Sequence, residues 1–116
     1  NDDIIGDLID IKLGQSGTSM MTITDDMVFE QNKIAKGFFI YSQANSLAIA
    51  IIDTKIAITG IAKVKHITSV KKGEILVAKA EIIKKRSNKF FIIVRTTSNE
   101  KTVFIAKFII VSLSDQ

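Results

Sequence analysis

Residues 38–52, FFIYSQANSLAIAII, contain no charged side chain, and this stretch constrains the fold more than any other. Its length and its alanines, Ala44, Ala48 and Ala50, favour a helix. Phe38, Tyr41, Asn45, Ala48 and Ile52 fall on one helical stripe; Ile40, Ala44, Leu47 and Ile51 fall on another. A helix that is apolar nearly all round must be buried on most of its sides. Gly37 precedes it, and Asp53 and Thr54 end it.

The segments around this helix read as strands. In residues 7–13, Leu8, Asp10 and Lys12 alternate with Ile9, Ile11 and Leu13, the period-two signature of a strand. Gly14 and Gly17 are expected to bracket a turn into a second strand at 18–24. Asp25 and Asp26 can cap a short helical turn through Phe29. Residues 56–68, 75–85, 89–98 and 101–112 are long and rich in β-branched and aromatic side chains, with turns at 69–74, 86–88 and 98–100. Leu76, Ala78, Ala80 and Ile82 make a small apolar face, while Val77, Lys79 and Glu81 point the other way. The order is β-β-α-β-β-β-β. One buried helix beside a large antiparallel sheet means that the sheet curls around the helix, an α+β arrangement known as the hot-dog fold. Sheet edges and part of the helix stay uncovered, so a homodimer is expected.

A chain of 116 residues suffices for one domain with a modest core, here 1–116. With 47% hydrophobic and 24% charged residues it is not a disordered chain. The absence of cysteine excludes disulfide frameworks, zinc ribbons and thiol chemistry. No apolar run approaches the roughly 20 residues of a membrane span. The acidic start shows no signal peptide, so the expected location is cytoplasmic. The chain begins at Asn1 rather than Met, as a fragment would. Its charge is divided: residues 1–53 hold eight acids against three lysines, a net −5, and residues 54–116 carry a net +9. A basic half suits anionic partners, although lysines also fill the solvent side of alternating strands.

Catalytic candidates are few. His66, the single histidine, reads as a partly exposed strand residue that would need a partner to act as a base. One histidine, no cysteine and an adjacent Asp25-Asp26 pair offer no metal-ligand spacing, and no phosphate-loop, dinucleotide or nucleophile-elbow motif occurs. No cofactor is therefore expected. Ser42, Gln43, Asn45 and Ser46 are the helix's polar residues. Amides bind but do not act as general bases at neutral pH. Gln43 and Asn45 either tie the helix to nearby strands or face a ligand groove. Free N–H groups at a helix start attract anions, and Gly37 permits close backbone approach there. Lys33 and Lys36 lie just before it, and Phe29 and Ile34 can wall a pocket or pack in the core.

The runs GDLIDIKL and GTSMMTI, VF at 28–29, IAKG at 34–37, QANSLAIAIID at 43–53, VKKGEILVAKAEI at 70–82 and VFIAKF at 103–108 resemble the effector-binding domain of the FapR family. These are bacterial repressors of fatty-acid and phospholipid synthesis genes. The resemblance covers essentially the whole chain, and QANSLA beside IAKG is its most specific part. It implies a dimeric hot-dog domain that binds malonyl-CoA or malonyl carrier protein without thioesterase-type chemistry. In the family, that binding loosens an N-terminal helix-turn-helix from operator DNA, and no such segment lies in this chain. The family's pocket phenylalanine falls on Phe29, its malonyl-binding arginine on Lys36, the adjacent glycine on Gly37 and its helix asparagine on Asn45. Lys36 departs from the family pattern, keeping the charge but losing the planar fork. Phe38 and Phe39 replace more polar residues. Lys63, Lys65, Lys84, Lys85 or Arg86 can meet the phosphates of CoA.

The alternative is an acyl-CoA thioesterase of the same fold, for which Asp25, Asp26 and Glu30 are the nearest carboxylates. Direct nucleic-acid binding by the basic half lacks the aromatic interleaving of single-strand binders, apart from Phe90-Phe91.

Overall fold

The structure, a computed structural model, describes residues 5–113. Among them, six strands form one antiparallel sheet: β1 (Asp7–Lys12), β2 (Ser16–Thr22), β3 (Ala57–His66), β4 (Ile75–Arg86), β5 (Lys89–Ser98) and β6 (Lys101–Ser112). Their order across the sheet is β1-β2-β4-β5-β6-β3. Helix α1 (Gly37–Ala50) packs against strands β2 to β6, which gives the hot-dog fold.

Alternation builds the core. Leu76, Ala78 and Ala80 of β4, Ile92 and Val94 of β5, and Phe104, Ala106, Phe108 and Ile110 of β6 are buried beneath the helix. Between them Lys79, Glu81, Arg95 and Lys107 are exposed on the outer face. The small Ala44 and Ala48 on the helix face Ala78, Ala80 and Ala106 on the sheet side, so the two layers can approach closely.

Two expectations need correction. Gly17 is not a turn residue: it lies within β2, where a Cβ would come 2.6 Å from Ile51 Cγ2 and 2.7 Å from Ile11 Cδ1. Its role is to let the helix lie on the strand. Gly14 makes the turn, at φ +79°, and its N–H donates to the carbonyl of Ile51 at 2.7 Å, which satisfies an acceptor at the helix end. The helical turn after β2 covers only Asp25–Met27, and Val28 is already extended. The stretch at 69–74 turns at Lys72 and Gly73, as expected, and places Val70 in the core.

The helix also differs from expectation. Ile40, Gln43, Ala44, Leu47 and Ala48 are buried, but Phe38 is 65% exposed, and Tyr41, Asn45, Ser46 and Ile49 are only half-buried. A single chain therefore covers one face of α1 and leaves the other open. Strand β3 is the edge on that side of the sheet order, bonded only to β6, and nearly all its residues are exposed.

Candidate functional site

The segment before α1 is a strap held by backbone bonds. Val28 pairs with Ala35, and Ile34 pairs with Lys71. The Ala35 N–H donates to Val70 O at 2.7 Å, and the Lys36 N–H to Met27 O at 2.8 Å. Asn32 accepts from the Ile34 N–H at 3.0 Å, which shapes the bend at Lys33, a residue at φ +59°. Asp25 anchors the strap's outer side, with Lys72 Nζ at 3.3 Å and Lys33 Nζ at 3.4 Å. The bonds from Lys72 and then Lys33 hold its carboxyl below the ordinary aspartate range.

This strap delivers Lys36 to the N-cap of α1 in an extended conformation, with no side chain capping the helix. The Phe39 N–H bonds back to Lys36 O at 3.1 Å, while the N–H groups of Gly37 and Phe38, at the first two helical positions, have no intrahelical acceptor and form a partial positive end. Lys36 Nζ lies 5.8 Å from the centroid of the Phe29 ring, a cation–π distance. Phe29 is 48% exposed, so it is not a core residue. Ile34 is half-buried, and its carbonyl accepts the Phe29 N–H at 2.9 Å. Four of the expected residues, Phe29, Ile34, Lys36 and Gly37, are thus gathered at the helix start.

Asn45 is not among them. It sits eight residues beyond Gly37, about 12 Å along the axis. Its Nδ2 donates to Thr59 Oγ1 at 2.6 Å, and it lines a separate cleft with Leu13, Ile49 and Lys55. Gln43 is likewise a tie, since its Nε2 donates to Ser19 O and Leu76 O, both at 3.2 Å. Its Oε1 and Thr96 Oγ1 are buried without a partner.

The expected phosphate contacts also lie elsewhere. Lys63 pairs with Lys107 and Lys65 with Ile105, positions that alternate with buried Phe104, Ala106 and Phe108. Both lysines therefore point to the outer face of the sheet. Lys84 and Lys85 lie over the Phe91 and Phe90 rings.

His66, read from the sequence as a partly exposed strand residue, is an exposed residue of β3. It ends β3 opposite Phe104, and its ring lies 4.8 Å from the Phe104 ring. Gly37 is directly beside it: a Cβ built on Gly37 would meet His66 Cε1 at 3.2 Å and Nε2 at 3.4 Å. A cleft of about 410 Å³ opens here, lined by Ala35, Gly37, Ile40, His66, Thr68 and Val70 among others. Among the described residues no carboxylate lines it; Asp25 is bonded to its two lysines and Asp26 to Thr24. The only available signal was the even spacing that puts His66 on the same face of β3 as Ala62 and Val64. No group of three or more potential ligands for a metal occurs among the described residues, and no helix there is long and apolar enough to cross a membrane.

No family model matches the chain. Whole-length comparison is informative. The chain is 49% identical over 113 residues to the transcription factor FapR of Caldanaerobacter subterraneus subsp. tengcongensis, covering 97% of this chain and 56% of that protein. It is 37% identical over 109 residues to the transcription factor FapR of Bacillus subtilis, covering 92% of this chain and 58% of that protein. It thus spans little more than half the length of these relatives. An uncharacterized protein of Pyrococcus horikoshii has a similar structure, with a TM-score of 0.90, 27% identity, and coverage of 97% of this chain and 86% of its own. E. coli PaaI, from the phenylacetic acid degradation operon, superimposes with a TM-score of 0.81 at 16% identity, over 90% of this chain and 81% of its own, a likeness of fold alone. Over nearly its whole length, on a hot-dog fold, this chain is therefore a relative of the FapR transcription factors.

Proposed function

We propose that this chain is the effector-binding domain of a transcriptional repressor of fatty-acid and phospholipid synthesis genes, and that malonyl-CoA, free or as malonyl carrier protein, is its effector. In this reading residues 1–116 form one sensing domain of a cytoplasmic protein. Operator DNA is held by an N-terminal domain outside this sequence, and effector binding releases it. The observation that carries the reading is the 49% identity to a FapR transcription factor over 97% of the chain. The helix start supports it chemically. An anionic acyl end at Gly37 would meet free N–H groups, the Lys36 ammonium and the Phe29 ring.

The dimer belongs to the same proposal. Ile58, Ile61 and Val64 of the β3 edge are each more than 40% exposed, and Phe38 stands open beside the helix start. A second copy is the simplest cover for such an edge.

Calorimetric titration with malonyl-CoA, acetyl-CoA and CoA tests the effector. Malonyl-CoA should bind well above the other two, and equal affinity for all three would remove the sensor reading. An acyl-CoA hydrolysis assay tests the alternative enzyme. No carboxylate of the described residues lines the cleft to serve as a base, so turnover should match a heat-inactivated control.

A further inference from the structure

We infer that His66 is a specificity-determining contact for the acyl end of the effector, separate from the Lys36–Phe29 pair. The inference rests on the malonyl-CoA reading above and assigns a residue which that reading does not contain.

The argument begins with direction. The cross-strand partner of His66 is Phe104, which is fully buried, so the imidazole projects from the helix side of the sheet. The ring lies tilted against Phe104 at 4.8 Å, a contact that limits its rotation. The ring then faces Gly37. A side chain is missing at Gly37, and the position its Cβ would take is 3.4 Å from His66 Nε2. Gly37 and the imidazole line one cleft, so a ligand seated there against Gly37 lies beside the ring's N–H donor.

The surroundings say which ligand atom that is. The cleft wall carries Ala35, Ile40, Ile67 and Val70 beside the hydroxyls of Thr68 and Ser69, and His66 is the only titratable side chain among the described residues that line it. Lys36 does not line this cleft; its ammonium lies over Phe29. Imidazole carries at least one N–H donor in either neutral tautomer and two when protonated. It can therefore bond a carboxylate oxygen. A malonyl group presents that oxygen, and an acetyl group ends in a methyl. Arginine would hold a carboxylate by two parallel N–H bonds, which a lysine ammonium cannot reproduce. His66 offers a donor to that oxygen from inside the cleft, where Lys36 does not reach the lining.

The test compares malonyl-CoA and acetyl-CoA binding to the 116-residue chain and its His66 variants. His66→Phe keeps a ring against Phe104 but removes the donor. It should lower malonyl-CoA affinity about tenfold while acetyl-CoA changes less than about twofold. His66→Gln retains an N–H donor and should keep most of the malonyl preference. If His66→Phe fails to fold by circular dichroism, His66→Leu carries the same comparison. Equal loss for both ligands, or no loss for either, overturns the assignment and leaves the effector reading intact. A wild-type chain that binds neither ligand overturns both.

Discussion

Asn45 Nδ2 donates a 2.6 Å hydrogen bond to Thr59 Oγ1, tying the middle of α1 to the start of β3. The family resemblance places Asn45 in the effector site, yet in the single chain this amide is occupied by a strand. Asn45→Ala should therefore cost about 0.5–1.5 kcal/mol of stability. Thr59→Val should cost a similar amount, and the double variant little more than either. Urea denaturation of the four proteins checks this coupling. Because a looser helix affects every ligand, Asn45→Ala should weaken malonyl-CoA and acetyl-CoA alike.

Lys36 is expected to act on malonyl-CoA alone. Lys36→Ala removes a charge-assisted contact of roughly 1.5–3 kcal/mol, about 10- to 150-fold in affinity. Acetyl-CoA has no carboxylate and should be spared. Lys36→Arg should tighten malonyl-CoA by supplying the planar fork. Calorimetry on both variants decides, and an equal loss for both ligands in Lys36→Ala would reduce the residue to general electrostatics.

Gly37→Val should close the cleft from inside. Its Cβ alone would sit 3.2 Å from His66 Cε1, and the two methyls extend further. Malonyl-CoA and acetyl-CoA should both lose binding while far-ultraviolet circular dichroism stays unchanged. Retained affinity would locate the ligand away from the helix start.

The strap should respond to acid through Asp25. Its carboxyl titrates below the ordinary aspartate value because Lys72 and Lys33 donate to it. A depressed folded-state pKa means that the stabilisation is fully present above the unfolded value, about 3.9, and disappears as pH falls through the lower folded value. Asp25→Asn should thus lower the melting temperature slightly at neutral pH, and the gap should close below about pH 4 as the wild type protonates. The pair is exposed, so the effect is small and fades with salt.

Sedimentation at micromolar concentration should give about twice the mass of one chain. A stable monomer would remove the dimer from the proposed function.

Much of the fold was legible because strands and helix differ in period. Alternation across Leu76, Ala78 and Ala80 assigned the buried face of β4 correctly. The uncharged segment at 38–52 marked the one helix. Gly17 misled because glycine signals both turns and close approach, and only the packed positions of Ile51 and Ile11 distinguish the two. The helix start was readable from Lys36 and Gly37, which are neighbours in sequence. His66 was not: it is 29 positions from Gly37, and only sheet topology brings them together. Gln43 and Asn45 looked alike as polar residues on a greasy helix, and only their bonding partners identified both as ties.

The two edges of the sheet have different lengths, and this bears on how far assembly can proceed. Edge β3 offers ten residues with exposed Ile58, Ile61 and Val64. Edge β1 offers six, carries Asp7, Asp10 and Lys12, and slips register between Leu8 and Asp10. Both edges slip register once, β3 between Thr59 and Ile61, and both carry charge, Lys63 and Lys65 on β3; the shorter β1 gives a further strand less to pair with. Two copies joined β3 to β3 would use up the longer edge in each and expose only the shorter ones. Growth by strand addition would then have little to continue on, which would keep such an assembly from extending into a fibre.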